Sequence, residues 1–432
     1  MMSKNKVQSS IQPLFIIGML FFIFGFVTWL SSVLIPYLQL ACELNNFESY
    51  LVAFAFYISY FVMALPSTWI LKVTGFKKGM ALGLVVMGLG SLLFIPAAMT
   101  RTYPLFLLGL FIQGAGMALL QTASNPYVAI LGPRESAARR ISIMGVCNGI
   151  AGALSPIILG AIVLNDTDNI KNKLITLTPV QKAAELSQLA GRVIQPYLII
   201  VIVLMGLALM VYYSRLPELD ADAENAEVSA ANENKKTILE FPHLILGVVT
   251  LFFYVGVEVI AGNTIISYGS FQDIPIMRAK FFTSMTLVCM LIGYLIGIVC
   301  IPRYFSQEKA LKISAIAGLV FAMTALATSG FTSVLFIALL GLANSLMWPS
   351  IWPLAIADLG RFTRIGSSLL VMAIAGGAIL PLVYGGLADI FNPRQAYWIV
   401  VPCYLLIWYF AVAGHKIRTG PSPLKINKKS LQ

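Results

Sequence analysis

The chain has 432 residues, of which 59% are hydrophobic and only 11% charged, and its formal net charge is +11. No water-soluble domain of this length carries that balance, so the chain reads as a membrane protein. Its basic residues are scattered among short loops rather than gathered on an aromatic-lined face, which argues against nucleic acid as a partner and makes them topology signals.

A helix needs about 20 mainly apolar residues to cross the hydrocarbon of a bilayer. Twelve stretches qualify: 14–38, 50–71, 79–99, 104–131, 141–164, 194–214, 242–268, 281–302, 309–329, 331–355, 365–388 and 395–414. The first follows Lys4 and Lys6, but it is too long for a signal-peptide core and lacks an A-x-A ending, so it is read as a retained helix. The long connection 165–195 contains no obvious site. The polar, acidic segment LPELDADAENAEVSAANENKK divides the chain into 1–214, a linker 215–241, 242–414 and a basic tail 415–432. With the N-terminus inside, the inner segments hold 21 Lys and Arg and the outer loops 8, which places both termini in the cytoplasm.

The two sets of helices repeat. GALSPIILGA at 152–161 aligns without a gap over GAILPLVYGG at 377–386, and GFVTWLSSVLIPY at 25–37 lies more weakly over GVEVIAGNTIISY at 256–268. The fourth and tenth helices both end in LG before a basic loop, GPRESAARR and GRFTR. Taken in order, these matches predict a duplicated unit. The fold class is therefore an all-α membrane protein with the major facilitator fold: twelve transmembrane helices as two six-helix halves, with a substrate site between them near mid-membrane.

Several residues within the helices can carry chemistry. In the fourth helix, Gln113, Gln121 and Asn125 share one face, with Pro126 just beyond. Unpaired amides are costly in hydrocarbon, so this face must meet another helix or a water-filled cavity. An amide offers a donor and an acceptor, as does each sugar hydroxyl, so Gln121, Asn125 and Asn148 of the fifth helix are candidate substrate ligands. Interhelical glue is the plainer alternative. Glu258 is the only acid well inside an apolar segment, which makes it the candidate for ion coupling, as proton carrier or cation ligand. Asn263 follows five positions later and can line the same cavity. In the tenth helix Asn344, Trp348 and Trp352 recur at four-residue spacing, and an aromatic face can stack on a pyranose while amides bind its edge. Trp29 and Tyr57 are further candidates of this kind. Glycines 109, 114, 116, 376 and 377 are assigned to close helix packing.

No Walker A sequence, nucleophile elbow or metal-ligand spacing appears, so no enzyme activity, cofactor or metal is expected. The five cysteines form no CxxC, and the two histidines, His243 and His415, lie near the cytoplasmic edge.

LQTASNPYVAILGP in the fourth helix, NGIAG in the fifth, YVGVE in the seventh and GSSLLVMAIAGG in the eleventh resemble the fucose permease family of the major facilitator superfamily. The resemblance covers nearly the whole chain and is closer to the glucose/galactose and N-acetylglucosamine branch. It implies import of a neutral sugar by symport with a proton or sodium across a bacterial inner membrane, by a protein working as a monomer. Two acids of fucose permease are absent: the matching positions are Ser32 and Gln121. The asparagine of the fifth helix matches at Asn148, but the glutamine three residues before it is Gly145. Fucose is therefore disfavoured, and Glu258 is left as the coupling acid. A uniporter, an exporter of apolar compounds and a non-transporting sugar sensor are the competing readings; the amides argue against the second, and no signalling domain is visible for the third.

Overall fold

A computed structural model of the chain describes residues 11–130, 137–174, 176–214, 216, 237–301, 304, 306–357, 359 and 362–417, without the side chains of 11–13, 125–130, 137–142, 168, 171, 363, 364 and 367. The described residues form helices and no strand. In the first part these are α1 (Ile11–Trp29), α2 (Ser31–Ala41), α3 (Asn46–Leu92), α4 (Phe94–Thr100), α5 (Tyr103–Ile130), α6 (Ala137–Val163), α7 (Thr167–Leu174), α8 (Pro179–Gly191) and α9 (Ile194–Tyr213). After the linker come α10 (Pro242–Asn263), α11 (Ile265–Phe271), α12 (Ile276–Ala279), α13 (Phe282–Cys300), α14 (Gln307–Ala327) and α15 (Gly330–Asn344). The chain closes with α16 (Met347–Ile356), α17 (Thr363–Met372), α18 (Gly376–Ile390), α19 (Pro393–Ala396) and α20 (Val400–Val412).

Among the described residues, eleven continuous helical stretches are long and apolar enough to cross a membrane. One of them, Asn46–Thr100, has 55 residues. Drawn straight it would reach about 80 Å, far beyond a hydrocarbon core of about 30 Å. It does not run straight. Gly75 has φ 76° and ψ 172°, a conformation that a side chain strongly disfavours. The chain doubles back there, so that a Cβ on Gly79 would strike the Leu71 side chain. The stretch thus holds the second and third of the twelve expected passes.

The sequence repeat is matched by a packing repeat. Gly25 of α1 lies against the Asn148 backbone of α6, and Gly256 of α10 lies against Leu380 of α18. Pro156 and Pro381, aligned in the repeat, sit inside α6 and α18. The five glycines assigned to packing all take part in close approaches. Gly114, for example, faces the Phe56 carbonyl, and Gly376 faces that of Phe252. α5 continues as helix through Pro126 to Ile130.

The two parts of the chain meet tightly on the face opposite the N-terminus. Asp389, at the end of α18, accepts hydrogen bonds from the backbone N–H groups of Asn46 (3.1 Å) and Phe47 (2.7 Å) and from the Asn46 amide (2.7 Å). These are the first N–H groups of α3, which have no partner inside their own helix, so a carboxylate from the other half caps them. Tyr50 packs edge-on against Tyr384, with ring centroids 5.5 Å apart, and Gly385 leaves room for the Tyr50 ring. Deeper in the same interface, Ser31 donates to the Asn263 side-chain oxygen at 3.1 Å. Trp29 fills the space over Gly262, where any side chain would collide with its ring.

Candidate functional site

Glu258 lies about three-quarters of the way along α10 and is half-buried, although Val257 and Val259 on either side of it are fully covered. One turn earlier on the same helix face stands Tyr254, near enough for its phenol and the carboxylate to interact electrostatically. Tyr57 of α3, Tyr294 of α13 and Tyr404 of α20 stand close enough to feel its charge. Four helices thus deliver phenols around one acid, and one of them, α3, belongs to the first half.

The tenth-helix candidates join this group. The ring of Trp348 is 6.4 Å from that of Tyr254 and stacks on Trp352 at 5.3 Å with an interplanar angle of 27°. Both tryptophans are half-buried. Asn344 is fully buried, and its side-chain oxygen accepts from the Tyr404 hydroxyl at 2.9 Å. The four-residue spacing of Asn344, Trp348 and Trp352 does not lie on one continuous helix. The chain breaks at Ser345–Leu346, where Leu346 has φ −94° and ψ 0°, and α16 begins at Met347. The two tryptophans keep their common face within α16, and Asn344 reaches the group through Tyr404 instead.

The first-half amides are placed less uniformly. Gln121 on α5 and Asn148 on α6 are both half-buried, and Asn148 donates to the Phe21 carbonyl at 3.3 Å. Among the described residues, no hydrogen bond joins either amide to Glu258. The side chain of Asn125 lies outside the described residues. Gln113, which shares the sequence face of Gln121, is buried and donates to Ser91 Oγ at 2.7 Å, so it ties α5 to α3. Ser32, one of the two positions matched to family acids, is buried with its hydroxyl on the Trp29 carbonyl at 2.8 Å.

Three of the candidates stand elsewhere or serve two regions. Trp29 and Asn263 sit in the interface on the face opposite the N-terminus and not beside the tryptophans. Tyr57 is 5% exposed and packs on Gly377 of α18 while remaining near Glu258. Conversely, Tyr254, Tyr294 and Tyr404 belong to the Glu258 group but were not singled out in the sequence. Tyr254 was within reach, since it precedes Glu258 by one helical turn. Tyr294 and Tyr404 come from other helices, and no local spacing points to them.

This arrangement offers a carboxyl with phenol partners, a stacked aromatic wall and half-covered amides. Among the described residues there is no group of three or more His, Cys, Asp and Glu side chains that could hold a metal ion.

Comparisons with known proteins identify the family. A model of the Major Facilitator Superfamily matches residues 17–372. The chain is 33% identical over 401 residues to a glucose/galactose transporter of Brucella abortus, covering 92% of this chain and 93% of that one. It is 32% identical over 414 residues to the L-fucose-proton symporter of Escherichia coli, covering 94% of each. The crystal structure of the transporter FucP in its outward conformation superposes with a TM-score of 0.71 at 29% identity, covering 96% of this chain and 100% of that one. The chain belongs to the Major Facilitator Superfamily: it is a multi-pass membrane transporter and not an enzyme.

Proposed function

We propose that this transporter brings a neutral sugar into the bacterial cytoplasm by cation symport, working as a monomer in the inner membrane. The substrate is a hexose such as glucose or galactose, or N-acetylglucosamine. The observation that carries the reading is the Glu258 group. A membrane-embedded carboxyl stands one helical turn from Tyr254, whose ring is 6.4 Å from that of Trp348, and Glu258 and the stacked Trp348 and Trp352 all stay partly uncovered. An indole face suits the C–H face of a pyranose, and Gln121, Asn125 and Asn148 can supply amides to its hydroxyls. The names of the relatives, a glucose/galactose transporter and a fucose-proton symporter, support a sugar as cargo.

Glu258 links cation and sugar in this reading. It holds a proton, or balances a sodium ion, and the change between its charged and neutral forms alters which opening of the site is favoured. The distribution of basic residues supports a cytoplasmic N-terminal face. The interface of Asp389, Asn46, Ser31 and Asn263 then closes the outer side. Uptake of labelled glucose, galactose, N-acetylglucosamine and fucose into vesicles, with proton and sodium gradients imposed separately, tests the proposal. Accumulation of one of the first three under one gradient is expected. Uptake of a sugar that responds to neither gradient would make the protein a uniporter, and uptake of none would overturn the reading.

A further inference from the structure

The contacts that shut the outer side also enclose a space. A cavity of about 410 Å³ lies between the halves there. Gln39 of α2 and Asn46 and Tyr50 of α3 line it from the first half. Ser267, Ser270 and Phe271 of α11 and Tyr384 of α18 line it from the second. Its remaining wall is apolar, and no Lys, Arg, His, Asp or Glu side chain lines it. Several of these groups are already paired: the Gln39 amide donates to Asn46 Oδ1, the Asn46 amide to Asp389, the Tyr384 hydroxyl to the Pro393 carbonyl and the Ser270 hydroxyl to the Ile266 carbonyl. Ser267 Oγ is buried without a hydrogen-bond partner among the described residues. That hydroxyl beside aromatic rings suits a small neutral polyhydroxylated molecule, and the volume falls in the ordinary range for small-ligand pockets of about 300–1,000 Å³.

We propose that this vestibule is a second sugar site, distinct from the Glu258 group and present only while the outer side is closed. The inference rests on the reading of the chain as a neutral-sugar carrier. Both halves supply its walls, and Asn46, Tyr50 and Tyr384 are themselves closing contacts. Separating the halves to admit a sugar to the central site takes the vestibule apart. A ligand bound there therefore favours the outward-closed state by its differential affinity for the two states. External sugar at high concentration slows its own import.

Two measurements test this. In the first, initial uptake into vesicles with the outer face outward is followed as external sugar rises. The rate is expected to pass through a maximum and fall. Ser270→Ala and Phe271→Ala, which change the vestibule lining and lie outside the Glu258 group, should raise the concentration of the fall about 10-fold and leave half-saturation unchanged. A plateau without a fall, or a fall identical in both variants, would overturn the proposal. In the second, Ser270→Cys is introduced together with Cys42→Ser, and labelling by a membrane-impermeant maleimide is timed with each sugar of the panel, transported or not. Protection that persists when Gln121→Ala and Asn148→Ala are added places the ligand in the vestibule. Protection lost with those two changes, or absent for every sugar, shows that the vestibule is not a site, while uptake judges the transport reading separately.

Discussion

The outer interface and the Glu258 group are made from similar residues and are packed in opposite ways. At the interface, Ser31 and Asn263 are sealed from solvent and bonded to each other, Trp29 is wedged over Gly262, and Asp389 caps a helix of the other half. In the Glu258 group, the acid and both tryptophans remain half-uncovered, as do Gln121 and Asn148 in the first half. A buried polar group without a partner costs free energy; in the first arrangement the Asn263 side-chain oxygen is paired with Ser31, while its amide nitrogen has no hydrogen-bond partner among the described residues. The second leaves polar surface to be satisfied by a guest. On the proposed function, the partly covered residues of the Glu258 group receive the transported sugar, while the paired residues join the halves. It also explains why an asparagine or a tryptophan alone does not reveal which role it has.

The comparison breaks most completely at Glu258. Glu258→Gln keeps the side-chain shape and removes the exchangeable charge. It is expected to abolish gradient-driven accumulation while counterflow of sugar down its own gradient survives at least in part; full concentrative uptake by this variant would remove Glu258 from coupling. The amides come next. Gln121→Ala, Asn125→Ala and Asn148→Ala should each weaken sugar binding by about 1–3 kcal/mol, roughly 5- to 150-fold, in protein that still reaches the membrane. Unchanged binding constants in all three would reassign them to helix packing.

A smaller effect is expected at the aromatic wall. Trp348→Ala should lower sugar affinity by about 2- to 13-fold, from a stacking contribution of about 0.5–1.5 kcal/mol, and Trp348→Phe by less. Equal losses in titrations of the two would mean that the ring packs rather than stacks. The smallest shift belongs to the interface. Asp389 is exposed, so water competes for its bonds, and Asp389→Asn should move the balance toward the outward-open form by only about 2- to 5-fold. Maleimide labelling of Ser31→Cys from outside reports this; a slower reaction in the Asn variant would contradict the capping role.

The passes were legible because hydrophobic length is a local property, and α5, α6, α10 and α13 begin and end within a few residues of the expected stretches. Internal alignment also carried physical information, since Gly25 and Gly256 make corresponding contacts in the two halves. What sequence could not separate was the destination of polar side chains. Gln113 and Gln121 lie on one helical face, yet the former is tied to Ser91 and the latter is half-uncovered. Asn263 and Glu258 are five residues apart on α10, yet Asn263 meets Ser31 and Glu258 meets Tyr254. Tertiary partners decide such cases: Ser91 lies 22 residues from Gln113, and Ser31 lies 232 residues from Asn263. The break between Asn344 and Trp348 was hidden for a related reason: a four-residue spacing looks the same whether or not the helix is continuous.

The reversal at Gly75 bears on how the chain is assembled during synthesis. Residues 72–78, with Lys72, Lys77 and Lys78, separate the two expected passes, so the two arms of α3 form a helical hairpin. The ammonium of Lys77 donates to the Ser214 carbonyl at 2.6 Å, across a sequence separation of 137 residues. That carbonyl belongs to the end of the sixth pass, which leaves the ribosome long after the hairpin is in place. The early hairpin therefore lacks one of its anchors until the last pass of its half arrives, and the same hydrogen bond that orients Lys77 marks the completion of that half.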